Sequence, residues 1–146
     1  MATRIASALD RLRGTRTMID RACDHLAASN EQVLAWQCAV TRVPAPTGHE
    51  SARGAWMAAR FTEMGGFAVL TDAIGNVTAR RSGIAGDAGG AVWCCAHLDT
   101  VFDDPAPAVT RNGSRLEGPG IGDNGRGLAA LLALADALHA ADMQPP

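Results

Sequence analysis

Residues 91–100 read AVWCCAHLDT, and residues 118–138 read GPGIGDNGRGLAALLALADAL. The first six residues of the earlier stretch form a continuous apolar run of strand length, without the alternating polar side chains of a half-exposed strand. We therefore expect residues 91–96 to form a strand that is buried on both faces. The later stretch is a glycine-rich loop followed by an apolar helix. A buried strand beneath helices predicts an α/β fold, a layered mixed β-sheet flanked by helices.

Helical periodicity dominates the first third of the chain. Apolar residues recur at helical spacing over residues 3–28 with an interruption at Gly14, so this region is either one broken helix or two short ones. Ser29 and Gln32 have the spacing of a capping box, which predicts the start of a second helix. That helix must end near Val43, because the proline that follows disfavours a helical conformation of the residue before it.

A third helix and two hairpins follow. Thr47 and Glu50 have the spacing of a second capping box, which predicts a helix that ends at the glycine pair 65–66. His49 would lie in its first turn, where a polar surface position is more typical than a metal role. Extended runs on either side of a turn predict two hairpins, residues 67–72 with 77–80 and residues 109–111 with 114–116. Residues 82–90 are expected to form an exposed loop.

Composition limits the classes of function. With 146 residues, 47% of them hydrophobic and 19% charged, the chain is long enough for one globular domain. A net charge of -2 gives no basic field for nucleic acid or an anionic membrane, so we expect neither as a partner. The four cysteines lack the spacing of a metal site or disulfide framework and are predicted to be free thiols. No segment has the pattern of a secretory signal or a membrane span, which predicts a cytoplasmic location.

Two candidate site residues follow the predicted strand. Because side chains alternate along a strand, His97 and Asp99 should point to the same side at its carboxyl end, where open α/β sheets bind ligands. An imidazole can hold a metal through one ring nitrogen while a carboxylate holds the other and fixes the tautomer. His97 is therefore a candidate metal ligand, with Asp99 as its orienting partner. Cys95 shares this face, but a small apolar residue in a core strand is its more typical role.

The glycine-rich loop between Gly118 and Gly127 carries a third candidate, Asp123. Near a helix N-terminus this carboxylate can cap the helix, or it can bind metal. The loop also matches the dinucleotide-binding pattern G-x-G-x-x-G, so a non-catalytic α/β module that binds a small molecule or a nucleotide is an alternative. Two features weaken that alternative: a short polar hairpin arm precedes the loop, and Asp123 would put negative charge where a pyrophosphate belongs.

Four motifs, in this order, resemble a known family: residues 43–50 (VPAPTGHE), 75–77 (GNV), 97–101 (HLDTV) and 118–124 (GPGIGDN). Together they are similar to the amino-terminal part of the dimetal exopeptidases and deacylases, which include carboxypeptidase G, peptidase T, acetylornithine deacetylase and succinyl-diaminopimelate desuccinylase. The resemblance covers roughly residues 30–143. It implies part of a zinc-exopeptidase-like catalytic domain over residues 29–146, with residues 1–28 as a helical extension.

The resemblance also implies roles for the candidate residues. His97 would bind one metal, Asp99 would orient its imidazole, and Asp123 would bridge two metals, usually Zn²⁺, with Co²⁺ or Mn²⁺ as alternatives. Such a centre hydrolyses peptide or N-acyl amide bonds, so the implied substrate is a peptide or an N-acyl amino acid. Its two metals would polarise the carbonyl and lower the pKa of a bound water toward about 7.

The sequence departs from the family in two respects. Where many members carry a lysine after the loop of the bridging aspartate, this chain has Arg126, which leaves the subfamily and substrate open. The family's general-base glutamate, its further ligands and its lid or dimerisation domain lie beyond the matching region, and Glu50 and Glu117 do not occupy matching positions. We therefore expect a truncated hydrolase with weak metal binding or none, inactive by itself, and homodimers only in a full-length form.

Overall fold

Four helices and two small antiparallel sheets make up residues 2–84 and 90–144, the part of the chain that the computed structural model describes. The elements are, in chain order, α1 (Ala2–Ala28), α2 (Asn30–Thr41), α3 (Ser51–Met64), β1 (Ala68–Thr71), β2 (Val77–Arg80), β3 (Thr110–Asn112), β4 (Arg115–Glu117) and α4 (Gly125–Ala140). This set of helices and strands confirms the α/β class.

The helices lie where the periodicity predicts them. The predicted interruption at Gly14 is wrong, because α1 continues through this residue as one unbroken helix. α2 ends at Thr41, shortly before Val43. α3 ends ahead of the glycine pair 65–66, whose φ angles of 75° and 73° are in the left-handed region that favours glycine. That pair ends the helix as predicted.

Neither predicted capping box forms. The hydroxyl of Ser29 donates to the Leu26 carbonyl at 3.3 Å and makes no capping hydrogen bond with α2. α3 begins one residue after Glu50, whose carboxylate accepts a hydrogen bond from the backbone N–H of Gly48 at 2.6 Å. The capping predictions are wrong because the Ser29 hydroxyl bonds back to the last turn of α1, and the Glu50 carboxylate bonds to the backbone just before α3.

Both predicted hairpins are confirmed. β1 pairs with β2, and Asp72 holds the turn between them by accepting hydrogen bonds from the backbone N–H groups of Ile74 and Asn76 at 3.0 and 2.9 Å. β3 pairs with β4 across a turn in which Gly113 has a φ of 60°. The loop predicted at residues 82–90 lies partly outside the described residues; Ser82, on its described part, is exposed.

The predicted buried strand at residues 91–96 is wrong. These residues have no regular secondary structure, and Val92 and Trp93 are 87% and 71% exposed. A buried strand needs a partner strand on each side, whereas the two described hairpins form separate two-stranded sheets. In the described ranges, parallel pairing amounts to one isolated bridge between Pro46 and Thr100, just beyond the expected strand.

The hydrophobic core lies between α2, α3 and α4. Its most buried members are Val40, Met57, Phe61, Leu128, Leu132 and Ala135. The three from α4 share one helical face because they are spaced four and three residues apart. Leu98 and Val69 pack against this cluster from outside, which ties the segment after residue 96 and strand β1 to the same core. Burial of each large apolar side chain contributes roughly 1.5–3 kcal/mol.

α1 lies against α4, and the His25 imidazole is hydrogen-bonded to the Asp136 carboxylate at 2.7 Å. The division into an extension at residues 1–28 and a catalytic part at residues 29–146 stays a prediction. Within the described ranges, none of the helices has the length and apolar character that a bilayer crossing requires.

Candidate metal centre

The segment at residues 97–100 carries two of the candidate site residues and is held from the chain that precedes α3. The backbone N–H of Thr100 donates to the Ala45 carbonyl at 2.9 Å, and the N–H of Thr47 donates back to the Thr100 carbonyl at 3.2 Å. Ala45 is fully buried and Thr100 is 5% exposed, so this short bridge is anchored in the interior. It fixes where the residues just before it must lie.

The imidazole of His97 lies between two carboxylates. Its Nδ1 is 2.9 Å from Oδ1 of Asp99, and its Nε2 is 2.8 Å from Oδ1 of Asp123. The hydrogen bond with Asp123 is the main reason that the pKa of His97 lies above its ordinary value of 6.5; slight burial opposes the rise and Asp99 adds to it. The three residues singled out from the sequence thus meet in one place, although their roles stay predictions.

Asp99 is itself held by a residue that the sequence reasoning assigned elsewhere. The Thr47 hydroxyl donates to its Oδ2 at 2.7 Å, so this hydroxyl serves the site rather than a helix cap. That bond is the main cause of a pKa of Asp99 below the ordinary 3.8, and the hydrogen bond with His97 acts in the same direction. Asp99 therefore stays ionised at neutral pH, and its Oδ1 can accept a hydrogen bond from Nδ1 of the His97 ring.

The glycine-rich loop presents Asp123 at the open side of the site, with 91% of its side chain exposed. The N-cap of α4 is Asn124, so the cap interpretation of Asp123 is wrong. Within the loop, the N–H of Gly125 donates to the Gly120 carbonyl at 2.9 Å, and Gly120 has a φ of 72°. The peptide bond between Asp123 and Asn124 is cis.

Asn124 links the loop to the other side of the site. Its Nδ2 donates to the His97 carbonyl at 3.2 Å, so the backbone of residue 97 and its side chain are held by neighbouring loop residues. No local pattern in the sequence predicts these two contacts, because the Asn124 amide and the Thr47 hydroxyl each bond to a group far away in the chain.

The donor atoms at the site are those that zinc takes, one imidazole nitrogen and one carboxylate oxygen. Two ligand atoms on a tetrahedral zinc lie about 3.3 Å apart, so a small separation of His97 Nε2 from Asp123 Oδ1 would make room for the ion. Among the described residues, however, no group of three or more His, Cys, Asp or Glu side chains is arranged to hold a metal. These residues fit zinc as two ligands of a larger set.

Other side chains weighed from the sequence lie apart from this pair. His49 is exposed, as predicted, although it precedes α3 rather than lying in its first turn. Cys95 is exposed, so its expected place in a core strand is wrong. The four cysteines are free thiols, as predicted.

An open cavity of about 350 Å³ adjoins the three site residues. His97 and Asp123 line one part of it, and the apolar side chains of Val101, Phe102 and Ile121 line another. A polar, titratable cluster beside an apolar surface is typical of a site that positions an organic substrate.

A comparison with protein families matches residues 76–146 to Peptidase family M28. The match spans just under half of the chain and includes the three candidate site residues His97, Asp99 and Asp123. A search of curated proteins gives no match. The second half of this chain is therefore similar to a family of peptidases, which supports a hydrolase-like part and is a coarser statement than the dimetal exopeptidase resemblance.

Proposed function

We propose that this chain contributes His97 and Asp123 to the metal centre of a metal-dependent hydrolase of peptide or N-acyl amide bonds. The observation that carries the proposal is the imidazole held between Asp99 and Asp123 at 2.9 and 2.8 Å. A carboxylate behind a metal-binding imidazole is the common arrangement at zinc sites. The match of this region to a peptidase family supports the same class of reaction.

Zinc, with two ions in the complete centre and Co²⁺ or Mn²⁺ as alternatives, would supply a Lewis acid and an acidified water. His97, through its Nε2, and Asp123 are the residues that would hold the zinc. Asp99 accepts the Nδ1 proton of His97, which leaves the lone pair of the neutral ring on Nε2. Thr47 fixes the Asp99 carboxylate and keeps it ionised. In the neutral ring, this arrangement favours the tautomer that binds metal through Nε2.

The adjoining cavity gives the proposed substrate a place beside these ligands. Val101 and Phe102 are 87% and 49% exposed and offer apolar surface to the side chain of a peptide or the acyl group of an N-acyl amino acid. The alternative of a nucleotide-binding module has no supporting contact here, since the loop presents the Asp123 carboxylate where a phosphate would have to approach.

Zinc titration calorimetry at neutral pH tests the proposal. We expect saturable binding to the unchanged chain, weak because the described residues bring only these two ligands together, and loss of that binding in both His97→Ala and Asp123→Ala. His139→Ala is the matched control, because it removes an imidazole on α4 outside the centre and should leave the titration unchanged.

The outcome against the proposal is a chain with a folded circular-dichroism spectrum that takes up no zinc, or whose uptake survives both substitutions. A parallel assay with dipeptides and N-acyl amino acids tests the substrate class. Because the described residues bring together only two ligands, we expect no turnover by this chain alone.

A further inference from the structure

Arg53 on α3 is a charged side chain in the interior. It is 1% exposed and is among the largest fully buried side chains of the described residues. In residues 2–84 and 90–144 no carboxylate forms an ion pair with it. Burial lowers the pKa of Arg53, while the charge of Asp99 acts to raise it. An arginine still remains protonated, so its burial is unfavourable unless its N–H groups are well used.

All of its hydrogen bonds go to two backbone carbonyls. Nε and Nη2 donate to the Val43 carbonyl at 3.0 and 2.7 Å, and Nη1 donates to the Leu98 carbonyl at 2.7 Å. Val43 begins the chain that leads to Thr47, whereas Leu98 lies between His97 and Asp99. One planar guanidinium therefore joins the two segments that bring the site together.

In a β-sheet, the backbone N–H of a neighbouring strand would normally donate to a carbonyl such as that of Leu98. Here the Arg53 guanidinium donates to it instead. Along residues 97–100 the other carbonyls are bonded to Asn124, to the His97 ring and to Thr47. The Leu98 side chain packs against the core, with Cδ1 close to where a side chain on Gly54 would lie. With its side chain packed in the core and its carbonyl held by Arg53, Leu98 has its peptide plane fixed.

We propose that Arg53 is a positioning residue whose guanidinium fixes the peptide between His97 and Asp99, so that the His97 ring lies between Asp99 and the loop residue Asp123. Its consequence for metal binding rests on the function proposed above. An apolar side chain of similar volume would fill the interior without burying a charge, so the contribution specific to Arg53 is its set of directed N–H donors.

Nuclear magnetic resonance of the ¹⁵N-labelled imidazole of His97, recorded without zinc at one neutral pH, tests the positioning directly. The His97 signals are assigned with His97→Gln. We expect Arg53→Met to change the ring ¹⁵N shifts toward those of a mobile imidazole that exchanges between tautomers. Arg53→Lys, with one compact donor group, should give shifts between those of Arg53→Met and the unchanged chain.

Met57→Ala is the matched control, because Met57 is 2% exposed one turn further along α3 and belongs to the hydrophobic core. It should lower the unfolding temperature and leave the His97 signals unchanged. In zinc titrations, Arg53→Met should raise the Kd at least ~10-fold, as loss of a group that orients a ligand does, whereas Met57→Ala should stay within about twofold of the unchanged chain.

The inference fails if folded Arg53→Met retains the His97 signals of the unchanged chain, or if Met57→Ala shifts them equally. Should Arg53→Met not fold, Arg53→Lys decides: ring shifts displaced from those of the unchanged chain toward those of a tautomer-exchanging imidazole support the inference, and unchanged shifts overturn it. Absence of zinc binding in the unchanged chain would contradict the proposed function, while the zinc-free spectra would still decide the role of Arg53.

Discussion

At the scale of single residues, the charges of His97 and Asp99 give the site its pH dependence. The folded-state pKa of His97 is raised, so its contribution to stability is full below the unfolded value near 6.5 and is lost as the pH rises through the folded value. The pKa of Asp99 is lowered, so its contribution is present above 3.8 and is lost as the pH falls through the folded value. Both contributions to stability are therefore full between the unfolded values of 3.8 and 6.5 and decline outside that range.

Metal binding should have the opposite dependence on His97. Zinc needs the neutral ring, and the hydrogen bond with Asp123 favours the protonated one, so protons compete with the metal. We predict that zinc affinity falls about tenfold per pH unit below the raised pKa and levels off above it. Calorimetry at several pH values, repeated in buffers of different ionisation enthalpy, measures both the affinity and the protons released. An affinity independent of pH from about 5.5 to about 8.5 would contradict this prediction.

Two of the residues that shape the site were beyond prediction from the sequence. Alternation along a strand singled out His97 and Asp99, and their side chains do meet, although residues 91–99 have no regular secondary structure. Thr47 and Arg53 bond to groups 52 and 45 residues away. Such contacts depend on how α3 packs against residues 97–100, and no local pattern records that packing.

At the scale of elements, the start of α4 depends on close contact with α2. A side-chain carbon at Gly125 would collide with the Thr41 hydroxyl and lie 3.1 Å from the Gly120 carbonyl. Thr41 is fully buried, and its hydroxyl donates to the Gln37 carbonyl, so it has little room to move. The glycine at this position lets α4 begin beside α2 and thereby places the loop that carries Asp123.

Gly125→Ala should accordingly destabilise the fold by about 1–3 kcal/mol, the range expected for overpacking. Gly14→Ala is the matched substitution on α1, where nothing lies within 4 Å of the added carbon, and should stabilise it by roughly 0.5–1 kcal/mol. Urea unfolding followed by circular dichroism measures both changes. Equal effects of the two substitutions would show that helix propensity, rather than contact with Thr41, governs the start of α4.

The elements that sequence reasoning placed correctly are those with local causes. The helical spacing of apolar residues predicted the helices, and the turn residues predicted both hairpins. Residues 91–96 were misassigned because an apolar run indicates burial only when other strands are present to cover it. The capping boxes failed for a similar reason, since Ser29 and Thr47 found acceptors that their spacing did not reveal.

At the scale of the whole molecule, large apolar side chains remain exposed. Val92, Trp93 and Val101 are 87%, 71% and 87% exposed along a stretch of ten residues that ends beside the candidate site. An exposed apolar stretch that pairs with no strand among the described residues is the kind of surface through which chains associate.

We therefore predict concentration-dependent self-association of this chain, reduced by Val92→Lys without a change in the circular-dichroism spectrum. Ser82→Lys adds the same charge at an exposed polar position and should leave association unchanged. Sedimentation velocity over a range of protein concentrations measures the association of the two variants and of the unchanged chain. A chain that stays monomeric at every concentration, or an equal effect of both lysines, would count against the exposed stretch as the cause.

The short bridge between Pro46 and Thr100, together with the bonds from Arg53 and Asn124, means that the site cannot be transplanted as a linear motif. A peptide that contains only the stretch from His97 to Asp123 would keep the side chains of the centre but none of the supports from α3 and the chain before it. The useful unit for grafting or minimisation is the set of α2, α3, α4 and the connections among them. Any smaller design has to replace the buried guanidinium with another donor aimed at the peptide between the imidazole and its carboxylate.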